Sequence, residues 1–210
     1  MRSGVKTPAN DTNRFGLTAR EMTPRVRGAL AALEAEKAEL AARVEALSGL
    51  ADRDPLIPVL NRRAFLEALQ RTTSYVQRYG EEAAVLYIDL DAFKAINDDF
   101  GHPTGDAALR HIGQLLKDQT RESDVIGRLG GDEFGVILAK SNLADARRKA
   151  KSLAAAIQNS PCVHEGVAHK LSASIGVHPV ARTEDAEAAL ARADEAMYAN
   201  KKAVRRVGAG

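Results

Sequence analysis

Apolar residues recur along the chain at different periods, and each period predicts a different element. From Thr23-Pro24, a capping residue followed by a proline suited to a first helical turn, the positions Val26, Leu30, Leu33, Lys37, Leu40, Val44 and Leu47 follow at alternating spacings of four and three. That is a heptad seam, with Lys37 at its one polar position. A helix packed on its own domain shows a broader apolar stripe, so residues 23–51 are expected to form a short dimerising parallel coiled coil. Lys37 weakens such a coil but suits two strands, where its stem lies along the interface and its ammonium reaches water. Residues 1–22 lack apolar periodicity and read as a flexible leader.

From Asp52 onward the rhythm changes to that of a globular unit. Asn61 is placed to cap a helix running to about Tyr79, and Ala83 to Asp89 is a continuous apolar run of the kind found in buried strands. Helices are expected at about 93–99 and 104–119. Val125 to Leu129 and Glu133 to Leu138 form two short apolar runs around Gly130-Gly131-Asp132, which predicts a hairpin. A helix over 142–159, a strand over Val167–Val177 and a final helix over Asp185–Lys202 complete the pattern. Strands alternating with helices around one hairpin predict an α/β fold with a mixed central sheet flanked by helices.

The composition fits this picture. Lys and Arg number 30 against 28 Asp and Glu, a formal charge of only +2, so nothing global points to a nucleic-acid partner. A single cysteine, Cys162, excludes an intrachain disulfide. With no secretory leader and no apolar run of about 18 residues, a cytoplasmic protein with no membrane span is expected.

Two acidic pairs carry the candidate chemistry. Asp89 stands at the end of the first strand with Asp91 two residues on, and a bend there can aim either carboxylate into a cleft, or both simply end the strand. Asp132-Glu133 follow two glycines at a hairpin tip. Glycine allows positive φ and close approach by a bulky ligand, and adjacent carboxylates suit magnesium, although a solvated acidic turn has the same letters. Carboxylates on neighbouring strand ends are also how polymerase-type enzymes hold metal against a nucleotide. Lys94, Asn97 and Asp106 lie between, where Asn and Asp can read a guanine edge or merely face solvent.

Arg128-Leu129-Gly130-Gly131-Asp132-Glu133-Phe134, the run Tyr87 to Asp106 (YIDLDAFKAINDDFGHPTGD), Asn61 to Phe65 (NRRAF) and Ala193 to Tyr198 (ADEAMY) together resemble the GGDEF family of diguanylate cyclases. The resemblance covers about 52–207. It implies a nucleotidyl-cyclase-like domain that condenses two GTP into cyclic di-GMP, one GTP per domain, in a homodimer joined through the N-terminal helix. Asp89, Asp132 and the Leu90 carbonyl are then the ligands of Mg2+, with Mn2+ able to substitute. Phe93, Asn97, Asp106, Gly130, Gly131, Lys201 and Arg205 are expected to bind substrate, with Asn97 and Asp106 on guanine and the two basic residues on the triphosphate. Lys94 is expected to stabilise the transition state, and Asp132 or Glu133 to help deprotonate the ribose 3′-OH. Arg121 and Asp124, in an Arg-x-x-Asp pattern five residues before Gly130, match the family's product-inhibition site. The chain departs from the family pattern at Ile57 and Pro58, where Thr and Gly are usual, and at Val204, where Gly is usual.

Competing readings are a receptor that only binds cyclic di-GMP or GTP, and an adaptor that only dimerises. The intact acidic, lysine and asparagine positions favour synthesis. No sensory module is evident, so an unidentified regulatory partner at the N-terminal segment is a further expectation.

Overall fold

The structure, a computed structural model, describes Thr18 and residues 22–207. The leader expected over 1–22 lies outside the described residues but for Thr18 and Met22, as do the side chains of Val44, Leu47, Val204 and Arg205. The chain divides into two units, 1–51 and 52–210. The first is dominated by helix α1 (Pro24–Ala51), which begins where the sequence predicts: the Thr23 hydroxyl accepts the Val26 N–H at 3.3 Å. Leu33 and Leu40 on its seam are 62% and 53% exposed.

The second unit runs α2 (Arg62–Tyr79), β1 (Ala83–Leu90), α3 (Phe93–Phe100), α4 (His102–Gln119), β2 (Val125–Arg128), β3 (Glu133–Ala139), α5 (Leu143–Asn159), β4 (Cys162–His164), β5 (Val167–His169), β6 (Ala173–Pro179) and α6 (Ala186–Val207). The main sheet has the order β2-β3-β1-β6 with antiparallel neighbours, and a parallel bridge from Leu60 to Gly127 extends it. Asn61 caps α2 by accepting the Ala64 N–H at 3.0 Å, and Gly80 ends that helix in the left-handed region at φ 71°.

One expected element is redrawn. The strand expected over Val167–Val177 is two: β5 pairs with β4 in a separate hairpin, turning through Glu165 and Gly166 at φ 49° and 78°, and the chain joins the main sheet only at Ala173. Val167 and Ala168 are exposed, so their apolar character reflects a surface hairpin and not a place in the core.

Alternation along β1 divides the core. Ala84, Leu86, Ile88 and Leu90 face one layer with Ile112 and Leu116 of α4 and Leu153 of α5, while Ala83, Val85 and Tyr87 face the other with α2 and α6. Ile57, one of the departures from the family pattern, is buried in the first layer against Gly113. Across the second layer the register aligns Gly127, Gly135, Tyr87 and Gly176 in one row. A Cβ on Gly127 or Gly135 would fall 2.4–2.7 Å from the Phe65 ring and its Cβ, and one on Gly176 would fall 2.0 Å from the Ala193 carbonyl oxygen. These glycines let Phe65 and the backbone of α6 sit directly on the sheet. Among the described residues no helix is long and apolar enough to cross a membrane.

Candidate active site

The period that sends Val85 and Tyr87 toward α2 and α6 also sends Asp89 there, at the strand's end. Its register partners are Glu133 on β3 and Ser174 on β6. The Leu90 N–H donates to the Asp132 carbonyl at 3.2 Å, tying the hairpin turn to the end of β1. The Lys201 ammonium on α6 pairs with Asp89. Burial first, then the Asp89 charge, raises the Asp132 pKa, with Lys201 and Arg128 opposing. Asp89 and Asp132 thus feel each other.

Asp91 answers the ambiguity of the first acidic pair. Its carboxylate accepts the Ser172 and Ser174 hydroxyls at 2.9 and 2.8 Å, and its N–H donates to the Ser172 carbonyl at 2.9 Å. It fastens β1 to β6 as the chain turns through Ala92, at φ 55°, into α3.

The hairpin tip is built differently from the expectation. Neither glycine of the tip is among the residues at positive φ. Gly130 lacks a side chain because the Glu133 carboxylate occupies the space, with Oε2 2.2 Å from where a Cβ would stand. Gly131 has nothing within 4 Å, leaving a bare tip. Arg128 holds the turn: Nη2 and Nε reach the Gly131 carbonyl at 2.7 and 3.2 Å, Nε also reaches the Gly130 carbonyl at 3.0 Å, and Nη1 meets both Asp54 oxygens at 3.3 Å. Asp54 in turn accepts the Leu56 and Ile57 N–H groups at 2.9 and 3.1 Å. Burial first, and then the nearby Glu133 carboxylate, raise the pKa of the Tyr87 phenol.

Asn97 on α3 packs against Gly105 of α4, the residue before Asp106. The Asn97 amide oxygen lies 1.9 Å from where a Gly105 Cβ would stand, beside Phe93, so Gly105 is a site glycine that the sequence pattern alone does not mark. Asp106 lies 3.9 Å from Arg110, and Lys94 is exposed. Arg121 and Asp124 lie apart from these, closing a small turn: the Arg121 N–H donates to Asp124 Oδ2 and the Asp124 N–H to the Arg121 carbonyl, both at 3.0 Å. They line a cleft of about 460 Å³ with Arg53 and Lys117, and a second of about 380 Å³ with Arg148 and Lys149.

Among the described residues no three His, Cys, Asp or Glu side chains converge on a metal position. The donor set of Asp89, Asp132 and the Leu90 carbonyl fits a hard cation nonetheless. Magnesium is usually held by one or two carboxylates plus substrate phosphates, not by an all-protein cage.

The diguanylate cyclase GGDEF domain matches residues 51–206. The chain belongs to this family. It is 39% identical over 175 residues to the diguanylate cyclase TpbB of Pseudomonas aeruginosa, covering 82% of this chain and 40% of TpbB. The fold of this GGDEF chain superposes on that of diguanylate cyclase SiaD, solved with its activator SiaC from Pseudomonas aeruginosa, with a TM-score of 0.74 at 29% identity. That match covers 85% of this chain and 69% of SiaD. A microbial GGDEF domain described in its interaction with cyclic di-GMP matches with a TM-score of 0.66 at 30% identity, over 75% of this chain and 94% of that one. The chain spans less than half the length of the curated relatives it matches, from 14% to 44%.

Proposed function

We propose that the chain is a diguanylate cyclase that joins two GTP into cyclic di-GMP with release of pyrophosphate. The observation that carries this reading is the meeting of Asp89, Asp132 and Lys201 at one strand end, beside the bare glycine tip. Each domain holds one GTP, and two domains face each other. The 3′-OH of each GTP attacks the α-phosphorus of the other, and pyrophosphate leaves in each of two steps. Asn97 and Asp106 read the guanine edge, while Phe93 backs the corner that holds them. Lys94, Lys201 and Arg205 bear on the triphosphate, and Asp132 or Glu133 takes the 3′-OH proton. Mg2+ or Mn2+, held by Asp89, Asp132 and the Leu90 carbonyl, supplies charge stabilisation at the phosphates. The protein's own task is to align the in-line attack and hold fixed charges where negative charge develops.

Three further parts belong to the same proposal. The exposed seam of α1 pairs with that of a second copy, which raises the local concentration of the partner domain. Arg121 and Asp124 take up product and restrain the enzyme. The capture of SiaD by its activator makes a regulatory protein at the N-terminal segment a reasonable counterpart here, in the cytoplasm. The test is incubation of the protein at high concentration with Mg2+ and GTP, or ATP, followed by chromatographic identification of products. Cyclic di-GMP and pyrophosphate from GTP alone are expected; no product from GTP overturns the proposal.

A further inference from the structure

Asp89 is held by a cation that belongs to the chain. Lys201 comes from a helix 112 residues further on, and the two side chains are only 20% and 15% exposed, so water screens the pair weakly. The helix that brings the lysine has little room to shift. The backbone of α6 rests on Gly176, and Asn200, the neighbour of Lys201, donates to the Ile175 carbonyl at 2.8 Å. Lys202 makes the contrast: its ammonium lies 4.2 Å from the Tyr198 ring centroid, on an exposed side chain. Two carboxylates at one site repel each other unless a cation stands between them, and an ammonium and a divalent ion meet that need in the same place.

We propose that Lys201 is a built-in counter-ion that competes with the divalent metal for Asp89, and that a triphosphate must draw the ammonium away before metal binds well. This rests on the reading of Asp89 and Asp132 as metal ligands. It makes the order of binding a property of the chain: nucleotide first or together with metal, and metal alone only weakly. A lysine suits the exchange because its flexible stem lets one ammonium serve a carboxylate first and a phosphate later.

The test is a titration of the nucleotide-free protein with Mn2+, followed by electron paramagnetic resonance of the free ion. Lys201→Met should bind Mn2+ about tenfold or more tightly than wild type, because a neighbouring like charge is removed. Lys202→Met, which removes the same charge one residue away, should change affinity less than about twofold. In the double variant Lys201→Met with Asp89→Asn the gain should vanish. Thermal unfolding supplies a second readout: in EDTA Lys201→Met should melt below wild type, and Mn2+ should raise its Tm more than it raises that of wild type. No gain for Lys201→Met, an equal gain for Lys202→Met, or a gain that survives loss of Asp89 would each overturn the proposal. Product formation from GTP by the same wild-type preparation separates the cases. Product with no gain in metal affinity sinks this inference alone, and absence of product sinks the cyclase reading.

Discussion

Replacing Gly176 by alanine should displace the helix that carries Lys201. The added Cβ would stand 2.0 Å from the Ala193 carbonyl oxygen, 2.3 Å from the Met197 nitrogen and 2.8 Å from the Met197 Cα, where ordinary contact begins at 3.4 Å. All three are backbone atoms, so no side-chain rotation relieves them. The difference between 3.4 and 2.0 Å requires α6 to retreat by about 1.4 Å. Ala193 and Met197 are 0% and 4% exposed, so the retreat opens a packed layer. Overpacking of this kind costs about 1–3 kcal/mol, and a backbone-on-backbone clash belongs at about 3. For a domain of this size that lowers Tm by roughly 6–12 °C. The retreat also carries Lys201 and Asn200 away from Asp89 and Ile175, and a misplacement of about 1 Å costs on the order of 100-fold in rate. The assay pairs thermal unfolding with pyrophosphate release, using Gly131→Ala, which has open space for its Cβ, as the stability control. A Gly176→Ala protein melting within about 2 °C of wild type would refute the reasoning.

Asp132→Asn should lower turnover by at least about 100-fold while sparing the fold. Because the Asp132 pKa is raised in the folded state, the stability this group lends is fully present below the unfolded pKa and lost as pH rises through the folded one, so in EDTA the variant should melt at or above wild type at neutral pH and show no such advantage in acid; near-normal turnover, or a lower Tm at neutral pH, removes Asp132 from its role. Leu33→Glu with Leu40→Glu places like charges on the α1 seam and should shift the protein toward monomer, with specific activity now steeply dependent on concentration; a dimeric, equally active variant by sedimentation refutes the coil. Arg121→Ala should leave initial rates nearly unchanged yet keep progress curves linear for longer and raise the cyclic di-GMP concentration needed to inhibit. An unchanged inhibition titration moves product control elsewhere.

Local signals in the sequence predicted local structure well. Thr23 and Asn61 cap the helices they precede, because a cap is satisfied within three residues. The hairpin expected around Gly130 is present, and the structure sets its register, with Arg128 opposite Phe134 and Val125 opposite Ile137. The placement of Asp89 and Asp132 at neighbouring strand ends was also legible. What was hidden depends on contacts across long stretches of chain. Nothing near Asp91 shows that Ser172 and Ser174 absorb it, since the partners lie 81 and 83 residues away. Arg128 reaches Asp54 across 74 residues, and the row of Gly127, Gly135 and Gly176 has meaning only once β2, β3, β1 and β6 are in register. The strand misdrawn over Val167–Val177 fails for the opposite reason: its letters favour a strand, but their burial is set by the β4 partner.

The same parity that builds the core also aims the chemistry. Odd positions of β1 face α2 and α6, so Val85 and Tyr87 fill that layer and Asp89, the next in the row, emerges where the layer ends. Antiparallel pairing brings Glu133 opposite Asp89, and the turn before it then has nowhere to go but beside the Leu90 N–H. A slip of one residue between β1 and β3 would point Asp89 and Glu133 to opposite faces and set Tyr87 against a side chain in place of Gly135. Phe65, lying on Gly127 and Gly135, penalises that slip because the β3 neighbours of Gly135, Phe134 and Val136, carry side chains where even a Cβ would meet its ring. The glycine row therefore fixes register for the strand-end carboxylates as well as for the core, and their position follows from the packing of a phenylalanine on the same layer.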